Sequence, residues 1–210
     1  MHIEFFLEEP SAETFIDTLA PKLFKAGVTH RCHPYGGKKD LLQNLPNRLK
    51  GLKWIPEDWR IVVLVDEDRE DCAALKATLE KFAKDAGFNT KSRPGKNGRF
   101  VVLNRIAVEE LEAWYFGDPS AIQKAYPRFK PSHARQNDLR NPDGCKGGTW
   151  EAFERALQEA GYYSTGLPKK EAAAFMAAHM AAESRGASRQ DALAEALQRA
   201  AVYVSGEIGP

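Results

Sequence analysis

Short apolar runs and amphipathic segments alternate along the first half of the chain. The apolar runs at 3–7, 60–65 and 99–103 are continuous enough to form strands, and the more polar stretch 28–34 could be a further strand. The run at 60–65 is dominated by β-branched residues and is therefore expected to be a central strand of a parallel sheet. Apolar residues at helical spacing follow the strands, so the pattern predicts an α/β fold with a central, mostly parallel sheet flanked by helices.

The helix boundaries are predicted from residues that start or stop helices. Ser11 is expected to cap the first helix, and Pro46 is expected to interrupt the leucine stripe of the second. The third helix is expected to stop at Gly87, and a further helix is predicted over roughly 107–116, directly after the fourth strand. These boundaries decide which polar residues stand at the ends of strands.

The second half of the chain divides into a polar segment and an alanine-rich one. Residues 127–148 are rich in Pro and Gly and carry five Lys or Arg against two Asp, which predicts a basic, solvated surface loop. Contact of this loop with a nucleic-acid backbone is the alternative. Thr149 is expected to cap a helix that follows. We therefore divide the chain into an α/β domain over 1–126, the basic loop, and a helical extension over 149–205 packed on the same domain.

The charge balance narrows the classes of function. The chain has 30 Lys and Arg against 29 Asp and Glu, and its net charge of +1 argues against a protein that coats nucleic acid through bulk phosphate neutralisation. No stretch approaches the ~18 consecutive apolar residues of a membrane span, and acids interrupt the only apolar run at the start. The three cysteines form no CxxC pair, so no disulfide framework is expected. We therefore expect a cytoplasmic protein that does not enter a membrane.

Acidic residues gather where the predicted strands end. They are Glu8 and Glu9 after the run at 3–7, Asp66 and Asp68 after the run at 60–65, and Glu109, Glu110 and Glu112 after the run at 99–103. Ligands bind beyond the carboxyl ends of strands in open α/β sheets, and side chains two apart on an extended chain point the same way. Asp66 and Asp68 are therefore expected to converge as oxygen ligands of Mg²⁺, and a glutamate from the neighbouring strand would complete the site.

Two of the polar constellations also have simpler, structural interpretations. Acids before a helix stabilise its N-terminus, so Asp68, and equally the two glutamates after the first strand, could be helix caps. His30 and His33 bracket Cys32, which suggests a metal site. The two histidines, however, face opposite sides of a strand, and no fourth ligand follows at zinc-like spacing, so we expect structural roles for all three.

Three stretches resemble motifs of the Toprim superfamily. The apolar strand that ends in the Glu-Glu pair at 8–9, with Glu13 a few residues on, is similar to the first Toprim signature, and 66–68 is similar to the Asp-x-Asp signature. Residues 111–116 resemble a helix of Toprim-like proteins found with restriction and phage-defence genes. Over roughly 1–180, the chain is similar to an uncharacterised bacterial family assigned to the Toprim-like superfamily, related to nucleases of the overcoming-lysogenization-defect type.

The resemblance implies a Toprim-like Rossmannoid domain that uses Mg²⁺ or Mn²⁺, and it assigns roles by position. Glu8 matches the signature glutamate, which is a general acid/base or a metal ligand. Asp66 and Asp68 match the metal-binding aspartates. Glu112 matches the later acid of the defence-associated relatives. Glu9 stands where the signature has glycine, so it could add a metal ligand, and which of the two glutamates faces the site stays open.

The function predicted from these features is metal-dependent phosphodiester hydrolysis by a nuclease. Lys38 or Lys39, after the Gly36-Gly37 turn, is expected to contact a phosphate oxygen as a point charge. The turn lacks the P-loop pattern, so an ATPase partner would be a separate chain, as in a bacterial phage-defence module. Two alternatives remain. One is a non-catalytic Toprim-like subunit that binds a partner protein or nucleic acid, and the other is an aspartate-based phosphotransfer protein with Asp66 as phosphoacceptor.

Overall fold

One sheet of four parallel strands, in the order β2-β1-β3-β4, forms the centre of the protein. The structure is a computed structural model, and it describes residues 1–68, 70–107, 110–141, 145 and 148–180. The strands are β1 (His2–Leu7), β2 (Thr29–Pro34), β3 (Trp59–Asp66) and β4 (Val102–Ala107). The predicted α/β class with a parallel central sheet flanked by helices is confirmed. Strand β3 is one of the two inner strands, as its continuous apolar sequence indicates.

Helices connect the strands and continue after the last of them. The α-helices in the described part of the chain are α1 (Pro10–Leu23), α2 (Lys38–Gly51), α3 (Cys72–Asp85), α4 (Ala113–Phe116), α5 (Pro119–Ala125), α6 (Gln136–Arg140), α7 (Thr149–Glu159) and α8 (Lys169–His179). Helix α1 joins β1 to β2, α2 joins β2 to β3, and α3 joins β3 to β4. Each parallel connection therefore has the helical crossover that parallel strands require.

The two faces of the sheet bury separate sets of side chains. Along β1, Phe5 and Leu7 point into a core that includes α1, whereas Phe6 points into a second core with α2 and α3. Strand β3 alternates in the same way, with Val62 on the α1 side and Val63 on the other. The helices that follow β4 add their apolar residues to the α1 side. The sheet is therefore covered on both faces, as a parallel sheet requires.

The carboxyl ends of β1 and β3 form a topological switch point of the sheet, here called the crevice. Helix α1 leaves β1 towards one face of the sheet, and α3 leaves β3 towards the other. The two strands are hydrogen-bonded neighbours, and Leu7 is aligned with Leu64. Ligands of open α/β sheets bind at such a switch point, where adjacent strands send their connections to opposite faces. The topology thus places Glu8 and Asp66, which lie at the ends of these strands, in the most favourable position for ligand binding.

Strand β4 and the segment after it differ from the prediction. The strand begins at Val102 rather than at residue 99, and it continues through the polar Asn104 to Ala107 because it pairs with β3 over that length. The predicted helix over roughly 107–116 is wrong at its start, since Ala107 ends β4 and α4 begins only at Ala113, while residues 108–109 lie outside the described residues. As a result, Glu112 precedes α4 instead of lying within a helix.

The two predicted N-caps, Ser11 and Thr149, are also wrong. Helix α1 begins one residue before Ser11, and Thr149 is the first residue of α7. Each residue donates its hydroxyl to a carboxylate instead. Ser11 donates to Glu9, and Thr149 donates to Glu110 over 2.8 Å. A charged acceptor makes the stronger hydrogen bond, and this explains why neither hydroxyl caps its own helix.

Helix α2 is not interrupted at Pro46, contrary to the prediction. The helix runs unbroken from Lys38 to Gly51 with the proline inside it. Leu41, Leu45 and Leu49 on one side of the helix are each fully buried against the sheet. The burial of these leucines outweighs the backbone hydrogen bond that proline removes.

The segment 127–148 contains short helices and is not only a loop. A 3-10 turn covers Pro131–His133, and α6 follows it. The guanidinium group of Arg128 donates to the carbonyl of Gly161 over 2.7 Å and lies 4.1 Å above the ring of Tyr162. This positive charge is therefore engaged in contacts within the protein. Residues 142–144 and 146–147 of the predicted loop lie outside the described residues.

Helix α8 packs along α1 and is anchored by Lys22. The ammonium group of Lys22 donates to the carbonyls of Ala177 over 2.8 Å and Met180 over 3.2 Å, at the C-terminal end of α8, where the helix dipole favours a cation. The predicted helix beyond residue 180 lies outside the described residues. No helix in the described part of the chain is long and apolar enough to cross a membrane.

Replacing Phe153 of α7 with alanine should destabilise the whole domain. Its fully buried ring contacts Tyr115, Phe116 and Tyr126 at centroid distances of 5.3, 5.7 and 6.2 Å. We expect Phe153→Ala to lower the free energy of unfolding, measured by urea denaturation, by about 3–5 kcal/mol. Phe175→Ala is the matched control, because its side chain is 43% exposed. Equal losses in the two variants would contradict a shared core that includes α7.

Candidate functional site

The carboxylate of Glu8 bridges the ends of β1 and β3. Its Oε2 atom accepts a hydrogen bond from the backbone amide of Asp66 over 3.1 Å. This contact is possible because the register aligns the residues after Leu7 with the last residues of β3. Glu8 and Asp66, predicted from the sequence as site residues, are therefore brought together.

Lys38 holds the loop after β3 from the other side of the crevice. The backbone amide of Gly37, which has a φ of 110° that favours glycine, donates to the carbonyl of Glu8 over 2.9 Å and so places the start of α2 beside β1. From there the ammonium group of Lys38 contacts Asp68 Oδ2 at 2.6 Å and the carbonyl of Glu67 at 3.1 Å. The predicted lysine therefore lies at the site, paired with a predicted aspartate.

Asp68 does not continue the extended chain of β3. Its φ of 54° lies in the left-handed region, so the alternation that would align it with Asp66 ends at the strand terminus. Asp68 also does not cap α3, because Asp71 accepts the hydrogen bonds of the first turn from Ala73 and Ala74. The ion pair with Lys38 accounts for the position of its carboxylate.

Glu9 turns towards the opposite side of the crevice from Lys38. Its Oε1 lies 3.5 Å from the ammonium group of Lys169, the first residue of α8, and accepts the hydroxyl of Ser11. Lys169 also lies 5.0 Å above the ring of Trp150. Glu9 is the N-cap residue of α1 but its side chain makes no cap hydrogen bond, so helix capping does not explain this acid.

Glu112 is the most deeply buried acid of the site. The residue is 1% exposed, and neither carboxylate oxygen has a hydrogen-bond partner among the described residues. Burial raises the pKa of this carboxyl to about 7, against the attraction of Lys169 and of the residue's own backbone amide, and with added repulsion from Glu110 and Glu9. A carboxyl group in these surroundings exchanges its proton near neutral pH.

The acids of the crevice interact through their charges. Burial raises the pKa of Asp66 well above its usual range, and Glu112 and Glu8 raise it further. The pKa of Glu8 is also raised by burial, although the hydrogen bond from the Asp66 amide and the charge of Lys38 oppose the shift. The site therefore carries more negative charge than the two lysines can offset.

The carboxylates line the crevice without meeting at one point. Among the residues that the structure describes, the only His, Cys, Asp or Glu side chains whose ligand atoms come together in a group of three belong to Asp17, His30 and Cys32, on β2 and α1. Glu8 is engaged with the Asp66 amide and Asp68 with Lys38, and these bonds keep the carboxylates apart.

The sequence interpretation missed one residue near the site, Lys169, and assigned another, Glu110, a role that the structure does not support. Lys169 is 160 positions from Glu9, with which it pairs, and no local spacing in the sequence indicates the contact. Glu110 was a candidate acid of the site, but it accepts from the Thr149 hydroxyl and the Trp150 amide, both at 2.8 Å, at the start of α7. Its role is therefore to stabilise a helix N-terminus. Glu109 lies outside the described residues.

In the presence of a chelator, the free energy of unfolding of the wild type should fall as pH rises from about 4.5 to about 7, the interval in which Glu112 titrates. The folded state holds its proton up to about pH 7 and the unfolded state only to its ordinary pKa of 4.5. Folding therefore binds a proton in this interval and weakens as pH rises. We expect Glu112→Gln to match the wild type near pH 4 and to exceed it at pH 8 by up to about 3 kcal/mol in urea denaturation. Glu159→Gln, at an exposed position, is the control. Parallel pH curves for wild type and Glu112→Gln would contradict the burial of an ionisable Glu112.

Comparison with known proteins assigns the chain to a family without assigning an activity. Neither the curated proteins nor the solved structures contain a match to this chain. The sequence model described as "Domain of unknown function (DUF4276)" matches residues 7–192, which include the whole crevice. The protein therefore belongs to the DUF4276 family.

Proposed function

We propose that the protein is a Mg²⁺-dependent phosphodiester hydrolase of the Toprim-like type and that the crevice between β1 and β3 is its active site. The observation that carries the proposal is Glu112, whose two carboxylate oxygens are buried beside Asp66 without a hydrogen-bond partner in the described chain. A buried acid without a partner is costly to stability, and it is retained in proteins where it takes part in function.

A divalent cation fits the chemistry of this crevice. Burial raises the pKa of Glu8, Asp66 and Glu112, and the charges of Glu112 and Glu8 raise that of Asp66 further. Added positive charge would therefore stabilise each carboxylate in its charged form. Carboxylate oxygens are the donors that Mg²⁺ prefers, and this ion binds through one or two of them while keeping water and phosphate in its other positions.

Different residues would take different parts in the reaction. Glu8 and Asp66 would hold the metal, with Glu9 at the rim as a further ligand, and Asp68 would hold Lys38 in place. When bound, Mg²⁺ supplies an activated water and neutralises charge on the scissile phosphate. Glu112 would hold or release a proton at a carboxylate oxygen near neutral pH, as a general acid or base does.

Lys38 would orient the phosphodiester. It is nearly buried, with 10% of its side chain exposed, and it is fixed by Asp68 and by the Glu67 carbonyl at the edge of the crevice. Burial lowers the pKa of Lys38, but the hydrogen bond and charge of Asp68, together with the charges of Glu8 and Glu70, raise it above its usual range, so Lys38 stays cationic. A fixed ammonium group at this position is suited to binding a phosphate oxygen.

Nucleic acid is the proposed substrate, and a separate ATPase is the proposed partner. The resemblance to Toprim-like proteins of phage-defence modules supports both, and the sequence has no P-loop of its own. The near-neutral net charge favours a local phosphate contact over bulk electrostatic binding. We further propose that the protein acts in the bacterial cytoplasm.

Asp66→Asn should abolish Mg²⁺-dependent cleavage of single- and double-stranded nucleic acid while leaving the fold intact by circular dichroism. The amide keeps the shape of the side chain but removes a charged ligand at the centre of the site. Asp85→Asn is the matched control, because this aspartate is paired with Lys81 at the end of α3, outside the crevice. Cleavage by Asp66→Asn at the wild-type rate would remove Asp66 from the mechanism.

A non-catalytic binding subunit is the second candidate function. The pairs Lys38–Asp68 and Lys169–Glu9 place positive charge on both sides of the crevice, and this charge offsets part of the carboxylate charge without a metal. Titration calorimetry separates the two candidates. The proposed hydrolase binds Mg²⁺ at millimolar concentration and loses this binding in Asp66→Asn, whereas the binding subunit takes up no Mg²⁺.

A further inference from the structure

Three potential metal ligands meet at the edge of the sheet, on α1 and β2. The His30 Nε2 atom lies 2.9 Å from Asp17 Oδ1, and the Cys32 Sγ atom lies 3.4 Å from the same oxygen. The ligand atoms of all three residues lie within 4.8 Å of one another. This group contains the three kinds of side chain that bind zinc: an imidazole, a thiol and a carboxylate.

The fold explains why these residues converge. His30 and Cys32 are two positions apart on β2, so their side chains point to the same face of the sheet. Helix α1 covers that face and presents Asp17 to them. His33 points to the other face, where it contacts the buried Glu4 and stacks on Phe6 at 5.0 Å. The arrangement thus unites Cys32 with one of its flanking histidines and with an acid that is distant in sequence.

The surroundings of the group leave access for an ion while holding the ligands in place. Strand β2 is an outer strand of the sheet, and the side chains of Asp17 and His30 are 54% and 22% exposed. The ring of His30 is flanked by Phe5 and Phe24 at centroid distances of 6.2 and 6.0 Å, which fixes its orientation. One side of the group is therefore rigid, and the other is open to solvent.

We propose that Asp17, His30 and Cys32 bind a Zn²⁺ ion, with water in the fourth position. Three protein ligands and an open position form a common tetrahedral zinc site. The sulfur ligand selects against Mg²⁺, which prefers oxygen donors. The site is therefore chemically distinct from the acidic crevice, and it does not depend on the proposed hydrolase activity.

The alternative explanation is a hydrogen-bonded His30–Asp17 pair with a neighbouring thiol. The hydrogen bond between His30 and Asp17 forms without Cys32, and the Cys32 thiol adds only a weak hydrogen bond to the Asp17 carboxylate. Burial, together with the charge of Asp17, raises the pKa of the Cys32 thiol far above its usual range. A divalent cation would reverse this effect by binding the thiolate and the carboxylate together, and the thiol proton would be released to solvent.

Cobalt substitution tests the site in the full-length protein. Co²⁺ is added to the chelator-treated, reduced protein, and the absorption spectrum is recorded. We expect a sulfur-to-cobalt charge-transfer band at one equivalent, intensified visible bands of a tetrahedral ion, and loss of both when Zn²⁺ is added. Cys32→Ser should lose the charge-transfer band, and His30→Gln and Asp17→Asn should each weaken the binding of Co²⁺ by at least about 10-fold.

Cys72→Ser is the matched control, because Cys72 begins α3 on the opposite face of the sheet. This variant should keep the band, and so should Asp66→Asn, whose change lies in the crevice. Circular dichroism of each variant checks the fold. The absence of a charge-transfer band in the wild type, or its persistence in Cys32→Ser, would overturn the proposal whether or not the crevice binds Mg²⁺.

Discussion

The repulsion among carboxylates in a poorly hydrated crevice is the constraint around which this end of the molecule is arranged. Glu8 and Asp66 come from neighbouring strands, and Glu112 comes from the segment after β4. Burial disfavours the charge on each of them, and the charges of Glu8 and Glu112 also raise the pKa of Asp66. The crevice must therefore hold protons, lysines or an added cation near these oxygens.

The surrounding fold supplies part of this compensation from both layers of helices. Lys38 reaches the crevice from the start of α2 on one face, and Lys169 reaches it from the start of α8 on the other. Each lysine pairs with a carboxylate at the rim, and Glu112 is left without a hydrogen bond from the described residues. The positive charge is therefore at the edge and the unmet negative charge is in the interior, an arrangement that favours a cation bound between them.

The sequence predicts the layers of the fold better than the geometry of the site. Strand β3 is evident from its apolar residues, but β4 extends through Asn104 because its pairing with β3 outweighs local polarity. Glu8 and Asp66 could be predicted because strand ends mark ligand sites. The left-handed turn at Asp68 and the contact of Lys169 could not, since each depends on tertiary packing. The grouping of Asp17 with Cys32 needed the placement of α1 on β2 for the same reason.

The titration of the Glu112 carboxyl tests the central claim most directly, because this group reports both the burial of negative charge and its relief by a cation. Carbon-13 NMR of the labelled carboxyl can follow the titration with and without Mg²⁺. We expect a pKa of about 7 in the metal-free protein and a value lower by at least about one unit when Mg²⁺ is present. A pKa that stays near the ordinary 4.5, or one that does not respond to Mg²⁺, would contradict a cation-binding crevice.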